Sequence, residues 1–185
     1  MASVAQLSPI PLPSSNSDTT LRGSTQYTFK AITYGPSVNL PAPYPENTTF
    51  PLVLSPSSPH TSINDIISTV KTLSHTGTIR TLLTQHGAIY FSGLNLSTAE
   101  ELSQFASAFG WNPHEDIGNP VRRTIHAFNV ATANEGPNTD PVYPHNEFGL
   151  SPHYPAYVLF YCFSAPETGV SFHDLTSTET NPDRW

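Results

Sequence analysis

The sequence is poor in cysteine, in charge and in long apolar runs. A single cysteine, Cys162, stands among 185 residues, which excludes an internal disulfide framework and fits a reducing compartment. Charged residues make up only 11% of the chain, and lysine and arginine together number 7. Net charge is −7, and Arg122-Arg123 is the only adjacent basic pair. A general nucleic-acid or anionic-membrane binder needs basic patches that this chain lacks. The arginine pair reads as a solvated strand start rather than a phosphate clamp. No apolar stretch reaches the length of a membrane-spanning helix, and no basic start leading into an apolar run marks a secretory signal. Without secretion, the sequons Asn47-Thr48-Thr49 and Asn95-Leu96-Ser97 are chance matches. The expectation is a soluble cytoplasmic protein with no nucleic-acid or membrane partner. Its oligomeric state is open.

What the sequence does hold is proline, unevenly placed. Ten of its nineteen prolines fall within residues 1–60, beside only four charged residues, Asp18, Arg22, Lys30 and Glu46. Proline removes a backbone donor and restricts the residue before it, so long regular elements are disfavoured there. Residues 1–48 therefore read as a Pro/Ser-rich leader, largely irregular, and Thr49 to Leu54 as a short edge strand, where proline is tolerated. The main domain is expected over 49–175, with a polar tail at 176–185. No internal repeat is visible, and the length suits one domain with a sizeable core.

From Ser62 the pattern turns helical. Ser62 and Asp65 have the capping arrangement of a helix start, and Ile63, Ile66, Ile67, Val70 and Leu73 follow at helical spacing. A second helix carries Ile79, Leu82 and Leu83 and stops at Gly87. Ala88 to Phe91 reads as a buried strand. A third helix starts at Ser97, with Glu100 as its capping acid, and ends at Gly110. Strands are expected over Arg123–Val130 and Val142–Phe148. A further one, buried on both faces, is expected over Tyr157–Phe163, which is aromatic and β-branched. Helices first and sheet afterwards indicate an α+β fold on a sandwich or barrel, of which a jelly-roll is one form.

The residues with most chemistry in them are His145 and Glu147, in Pro144-His145-Asn146-Glu147-Phe148. Alternation along a strand puts both side chains on one face. A neutral nitrogen donor beside an anionic oxygen donor supplies two of the three protein ligands in a facial triad for non-heme iron(II). Alone, the spacing is a weak signal that a polar surface strand would equally produce. The other histidines carry less. His60, His75 and His86 lie in a loop or near helix ends, where surface placement or a helix-end interaction is expected. His114 with Glu115 and Asp116 fits a polar loop as well as a metal site, and His126 reads as a packed or hydrogen-bonded strand residue.

The ordered series around the pair is more specific. It runs through Gly87-Ala88-Ile89-Tyr90-Phe91-Ser92-Gly93, Ala108-Phe109-Gly110, Thr132-Ala133-Asn134-Glu135, Pro144-His145-Asn146-Glu147 and Phe160-Tyr161-Cys162 to Pro166. In this series the chain resembles the TauD/TfdA-like family of Fe(II)/2-oxoglutarate-dependent dioxygenases, in its clavaminate synthase-like branch, over roughly residues 50 to 170. The resemblance implies the N-terminal portion of a double-stranded β-helix (jelly-roll) with flanking helices. It also implies Fe(II), with 2-oxoglutarate as co-substrate, and oxidation of a small organic molecule. His145 and Glu147 match the family's first His and acidic metal ligands, and Asn134 and Glu135 stand in a loop that could support them.

The chain also departs from the family. The second metal His and the 2-oxoglutarate-binding Arg belong to the far half of the barrel, beyond Trp185, and His153, His173 and Arg184 do not match them. His153 is expected to face solvent or to support the site indirectly. Where the family has a Thr that contacts 2-oxoglutarate, Phe172 takes the position without a gap and Ser171 takes it if one residue is deleted, with an ordinary turn as the competing reading. The resemblance thus implies a chain truncated before the distal His and Arg. Two readings stand side by side: an oxidoreductase of this family, or a catalytically inactive member or non-enzymatic binding module.

Overall fold

The computed structural model describes residues 20–22, 28–33, 38–46, 48–115, 123–133, 135–137, 141, 143–149 and 152–164. The chain divides into two compact units, Met1–Leu96 with Gln104–Trp111, and Ser97–Ser103 with Asn112–Trp185. The described elements mix helices and small sheets, as an α+β chain should.

The first unit is built on a four-stranded sheet of β1 (Thr20–Arg22), β2 (Thr28–Ala31), β5 (Leu52–Pro56) and β6 (Ile89–Phe91), in the order β1-β2-β5-β6. The first two pairings are antiparallel, whereas β5 and β6 run parallel, with Val53 opposite Tyr90. A parallel neighbour requires a crossover, supplied here by α1 (Ile63–His75) and α2 (Thr78–His86). Two further strands, β3 (Val38–Asn39) and β4 (Thr49–Phe50), pair separately. The proline-rich stretch thus contributes three strands, and the sheet joins residues on both sides of position 49. The expected edge strand is also displaced: β5 lies between β2 and β6. Pro51 precedes it rather than interrupting its ladder, so an interior place is open to it.

The helices follow their sequence signals closely. Ser62 Oγ accepts the Asp65 amide at 3.2 Å and caps α1. Ile66, Val70 and Leu73 are buried at the expected spacing, together with Thr69. Gly77 and Gly87 flank α2 with φ of 78° and 72°, in the left-handed region that glycine enters without a Cβ penalty. His86, in the last turn of α2, departs from its expected surface placement. It is buried, and its Nδ1 donates to the Thr49 carbonyl at 2.7 Å, which ties the helix end to β4. The sheet and helices enclose Phe29, Val53, Leu54, Ile66, Val70 and Ile79, all essentially inaccessible. An aromatic series continues this core: Phe91 sits 5.4 Å from both Phe29 and Phe105 in edge contacts, and Phe109 stacks on Trp111 at 4.9 Å. Strand β6 is less buried than expected, with Tyr90 exposed.

Helix α3 (Ala99–Ser107) has residues in both units. Its capping box is one residue later than expected. Thr98 Oγ1 accepts the Glu101 amide at 3.1 Å, and the Glu101 carboxylate accepts the amides of Ser97 and Thr98 at 2.6 and 3.3 Å. Thr98, not Ser97, therefore has an acid three residues on that can reach back to the orphan donors. The Ser97 amide and hydroxyl chiefly hold the Glu101 carboxyl below its ordinary pKa, against an opposing desolvation and with a lesser contribution from the Thr98 amide.

In the second unit the single strand expected over Arg123–Val130 is instead a hairpin of β7 (Ile125–Ala127) and β8 (Val130–Ala131). Asn129, with φ of 56°, reverses the chain, a conformation asparagine tolerates better than most residues. The open end of the hairpin is clamped by Glu135. Its carboxylate accepts the Thr132 hydroxyl and, at 2.6 Å, the Thr124 amide. Those bonds, the Thr132 hydroxyl foremost, hold the Glu135 carboxyl below its ordinary pKa, with a smaller contribution from His126. His126 itself is exposed rather than packed.

The strands expected over Val142–Phe148 and Tyr157–Phe163 are absent among the described residues. The first is broken by a turn in which the Gly149 amide donates to the Asn146 carbonyl at 3.2 Å and Phe148 takes φ of 58°. In the second, Val158, Leu159, Phe160 and Phe163 are exposed rather than buried. Composition confers β-propensity, but a strand also needs a partner ladder. No helix of the described residues is long and apolar enough to cross a membrane.

Two outcomes follow from this architecture. A Cβ at Gly87 would stand 3.3 Å from the Phe50 ring, whereas one at Gly77 would meet nothing within 4 Å, although φ is positive at both. G77A is expected to cost about 1 kcal/mol from backbone conformation, and G87A measurably more; equal midpoint losses in urea unfolding would remove the Phe50 contact from the account. Glu135 has a depressed folded pKa, so its contribution is complete above the ordinary carboxylate range and is lost as pH falls through the folded value. The Thr124 amide resonance should shift over that acidic window in the native chain and stay flat in E135Q.

Candidate metal centre

His145 and Glu147 do come together, but through a turn instead of strand alternation. His145 precedes the Asn146–Gly149 turn and Glu147 lies within it, leaving Nε2 of the imidazole 3.5 Å from Oε1 of the carboxylate. The other ring nitrogen, Nδ1, is 2.7 Å from the Tyr143 carbonyl. A carbonyl can only accept, so Nδ1 carries the proton in that bond and the neutral ring has its lone pair on Nε2. This is the arrangement in which a histidine ligand is oriented by a backbone acceptor behind it. With side chains 53% and 36% exposed, both donors are open to an ion from solvent.

The donor set fits a first-row divalent ion. It combines a neutral imidazole nitrogen with an anionic oxygen, the chemistry that non-heme iron accepts. Two donors each about 2.1 Å from one ion lie about 3 Å apart at a right angle. The observed 3.5 Å therefore needs only a small side-chain adjustment. Among the described residues, no group of three or more His, Cys, Asp or Glu could hold a metal. The pair therefore stands as two donors.

Three neighbours, none assigned to the site from sequence, complete its surroundings. Arg123 places Nη2 4.0 Å from Glu147 Oε2 and its guanidinium carbon 5.6 Å from the centre of the Phe148 ring. Its Nη1 donates to the Thr132 carbonyl at 3.5 Å, while its Nε is buried with no protein partner in the described residues. Arg123 is thus a half-buried bridge, not the solvated strand start expected for it. His114 packs its ring edge against Phe148 at 4.9 Å, and its Nε2 is likewise buried without a partner. These contacts hold Phe148 in a conformation that costs an L-residue about 1 to 2 kcal/mol. The bridge to Glu147 was illegible in the sequence because it joins residues 24 positions apart, 123 and 147, on the hairpin and on the turn.

The remaining candidates separate. Glu135 is committed to Thr124 and Thr132. His153 is exposed, consistent with a solvent-facing place, and so is Glu115. Asn134, Asp116, Ser171, His173 and Arg184 lie outside the described residues.

Residues 54–176 match the model of the family described as taurine catabolism dioxygenase TauD, TfdA family. A clavaminate synthase-like protein of Arabidopsis thaliana is 31% identical over 129 residues, which are 67% of this chain but only 38% of that relative. The matched region contains the His145–Glu147 turn, the Arg123 hairpin and helices α1 to α3. The chain belongs to the TauD/TfdA family of dioxygenases.

Proposed function

We propose that this chain carries part of the catalytic domain of an Fe(II)/2-oxoglutarate-dependent dioxygenase acting on a small organic substrate, with His145 and Glu147 as metal ligands. The observation that carries the reading is the 3.5 Å approach of His145 Nε2 to Glu147 Oε1, with Nδ1 held on the Tyr143 carbonyl. Family membership supports the same chemistry. When bound, iron(II) supplies the redox chemistry that couples oxidation of a substrate C–H bond to conversion of 2-oxoglutarate into succinate and carbon dioxide.

The protein's own contribution is orientation. The Tyr143 carbonyl selects the imidazole tautomer, so in the neutral ring the lone pair on Nε2 faces the carboxylate. Glu147 supplies negative charge where a divalent cation would sit, and the exposure of both side chains leaves room for further ligands. Ser171 is assigned to 2-oxoglutarate, where its hydroxyl can donate to a carboxylate. The architecture in this reading is the N-terminal portion of a double-stranded β-helix, a jelly-roll, in a soluble cytoplasmic protein.

Anaerobic titration of the chain with Fe(II) and 2-oxoglutarate tests the proposal. The expected result is a visible metal-to-2-oxoglutarate charge-transfer band, with succinate released on admitting oxygen and substrate. Metal binding should weaken by more than about tenfold in H145A and in E147A, since each removes a direct ligand whose loss exceeds that of an outer-shell group. Specific ligand binding without band or turnover would instead establish a non-enzymatic binding module.

A further inference from the structure

We infer that Arg123 is a positioning residue for Glu147: its guanidinium fork spans the hairpin and the ligand-bearing turn, and so turns Oε1 of the carboxylate toward His145. This inference rests on His145 and Glu147 being metal ligands. One arm of the fork, Nη2, reaches Glu147 Oε2 at 4.0 Å, and the other, Nη1, reaches the Thr132 carbonyl at 3.5 Å. Glu147 Oε1, the oxygen that Arg123 leaves alone, is the one facing His145 Nε2 at 3.5 Å. The two carboxylate oxygens are thereby given different tasks.

The support behind Arg123 is itself fixed. The Thr132 amide donates to the Thr124 carbonyl at 3.0 Å, and Glu135 accepts from both residues. The guanidinium also lies over the Phe148 ring, next in sequence to Glu147. A guanidinium that approaches two acceptors, at 3.5 and 4.0 Å, and covers one ring face restricts the freedom of Glu147 to swing into solvent. Carboxylate ligands are commonly oriented by such outer partners, and their removal typically costs 10- to 100-fold in metal affinity. The opposing effect is repulsion between guanidinium and metal cation. At a half-exposed site it is screened, and lysine would retain it, so the two effects separate by substitution.

The test uses the full chain with cobalt(II) alone as the probe, reading affinity by calorimetry and ligand geometry by the visible absorption of bound cobalt. R123Q should bind about tenfold more weakly, with a changed cobalt spectrum and an unchanged near-ultraviolet circular dichroism spectrum. R123K keeps the charge but lacks a planar fork able to span two acceptors, so it should bind about threefold more weakly with a spectrum also altered. Native affinity and spectrum in R123Q overturn the inference if H145A and E147A lose binding. If H145A and E147A bind cobalt as tightly as the native chain, the metal-ligand reading itself falls and takes this role with it. Should R123Q fail to fold, R123K decides alone, and native affinity with a native spectrum overturns the inference.

Discussion

The hydrogen bond from the Gly149 amide to the Asn146 carbonyl closes the turn on which the candidate site depends. Without that reversal, Glu147 would not lie where its Oε1 meets the imidazole of His145. The turn is held against its own backbone preference, because Phe148 occupies a left-handed conformation that a bulky side chain disfavours. What offsets the cost is packing: His114 meets the Phe148 ring edge and Arg123 covers the ring. A strained residue beside a functional carboxylate is a recurrent arrangement, since surrounding contacts must over-determine the geometry for it to persist.

The two units differ in what holds them together. Among the described buried apolar residues, Val130 alone belongs to the second unit; the others, from Phe29 to Phe109, lie in the first. Among its described residues the second unit shows mainly polar contacts of the Glu135 and Thr124–Thr132 kind and rings packed at its surface. The candidate ligands therefore lie in the unit whose described residues show the least apolar burial, where local stability is expected to be lowest.

That difference also explains what could be read in advance. Ser62, Ile66, Val70 and Leu73 announced α1, because a cap and a helical stripe are local signals that burial then rewards. Gly87 and Gly110 marked helix ends for an equally local reason. Thr98 was missed by one position because two hydroxyls precede two acids there, and only side-chain geometry selects the pair. The strand expectations that failed outright, over Arg123–Val130, Val142–Phe148 and Tyr157–Phe163, all lie in the second unit. Tyr157–Phe163 has strand composition, but pairing depends on residues elsewhere. His145 and Glu147 were singled out by donor type and by resemblance, and it is a turn, not the expected strand alternation, that brings their side chains together. Arg123 offered no signal at all, since a bridge between hairpin and turn exists only in three dimensions.

The distribution of buried rings has a calorimetric consequence. Heat capacity rises on unfolding in proportion to the apolar surface newly hydrated. Val158, Leu159, Phe160 and Phe163 are already hydrated in the folded chain. Of the described residues, those of the second unit therefore add little to the heat-capacity step, and those in the sheet and helices of the first supply most of it. The turn that carries His145 and Glu147 therefore depends, among the described residues, more on its polar anchors than on apolar burial.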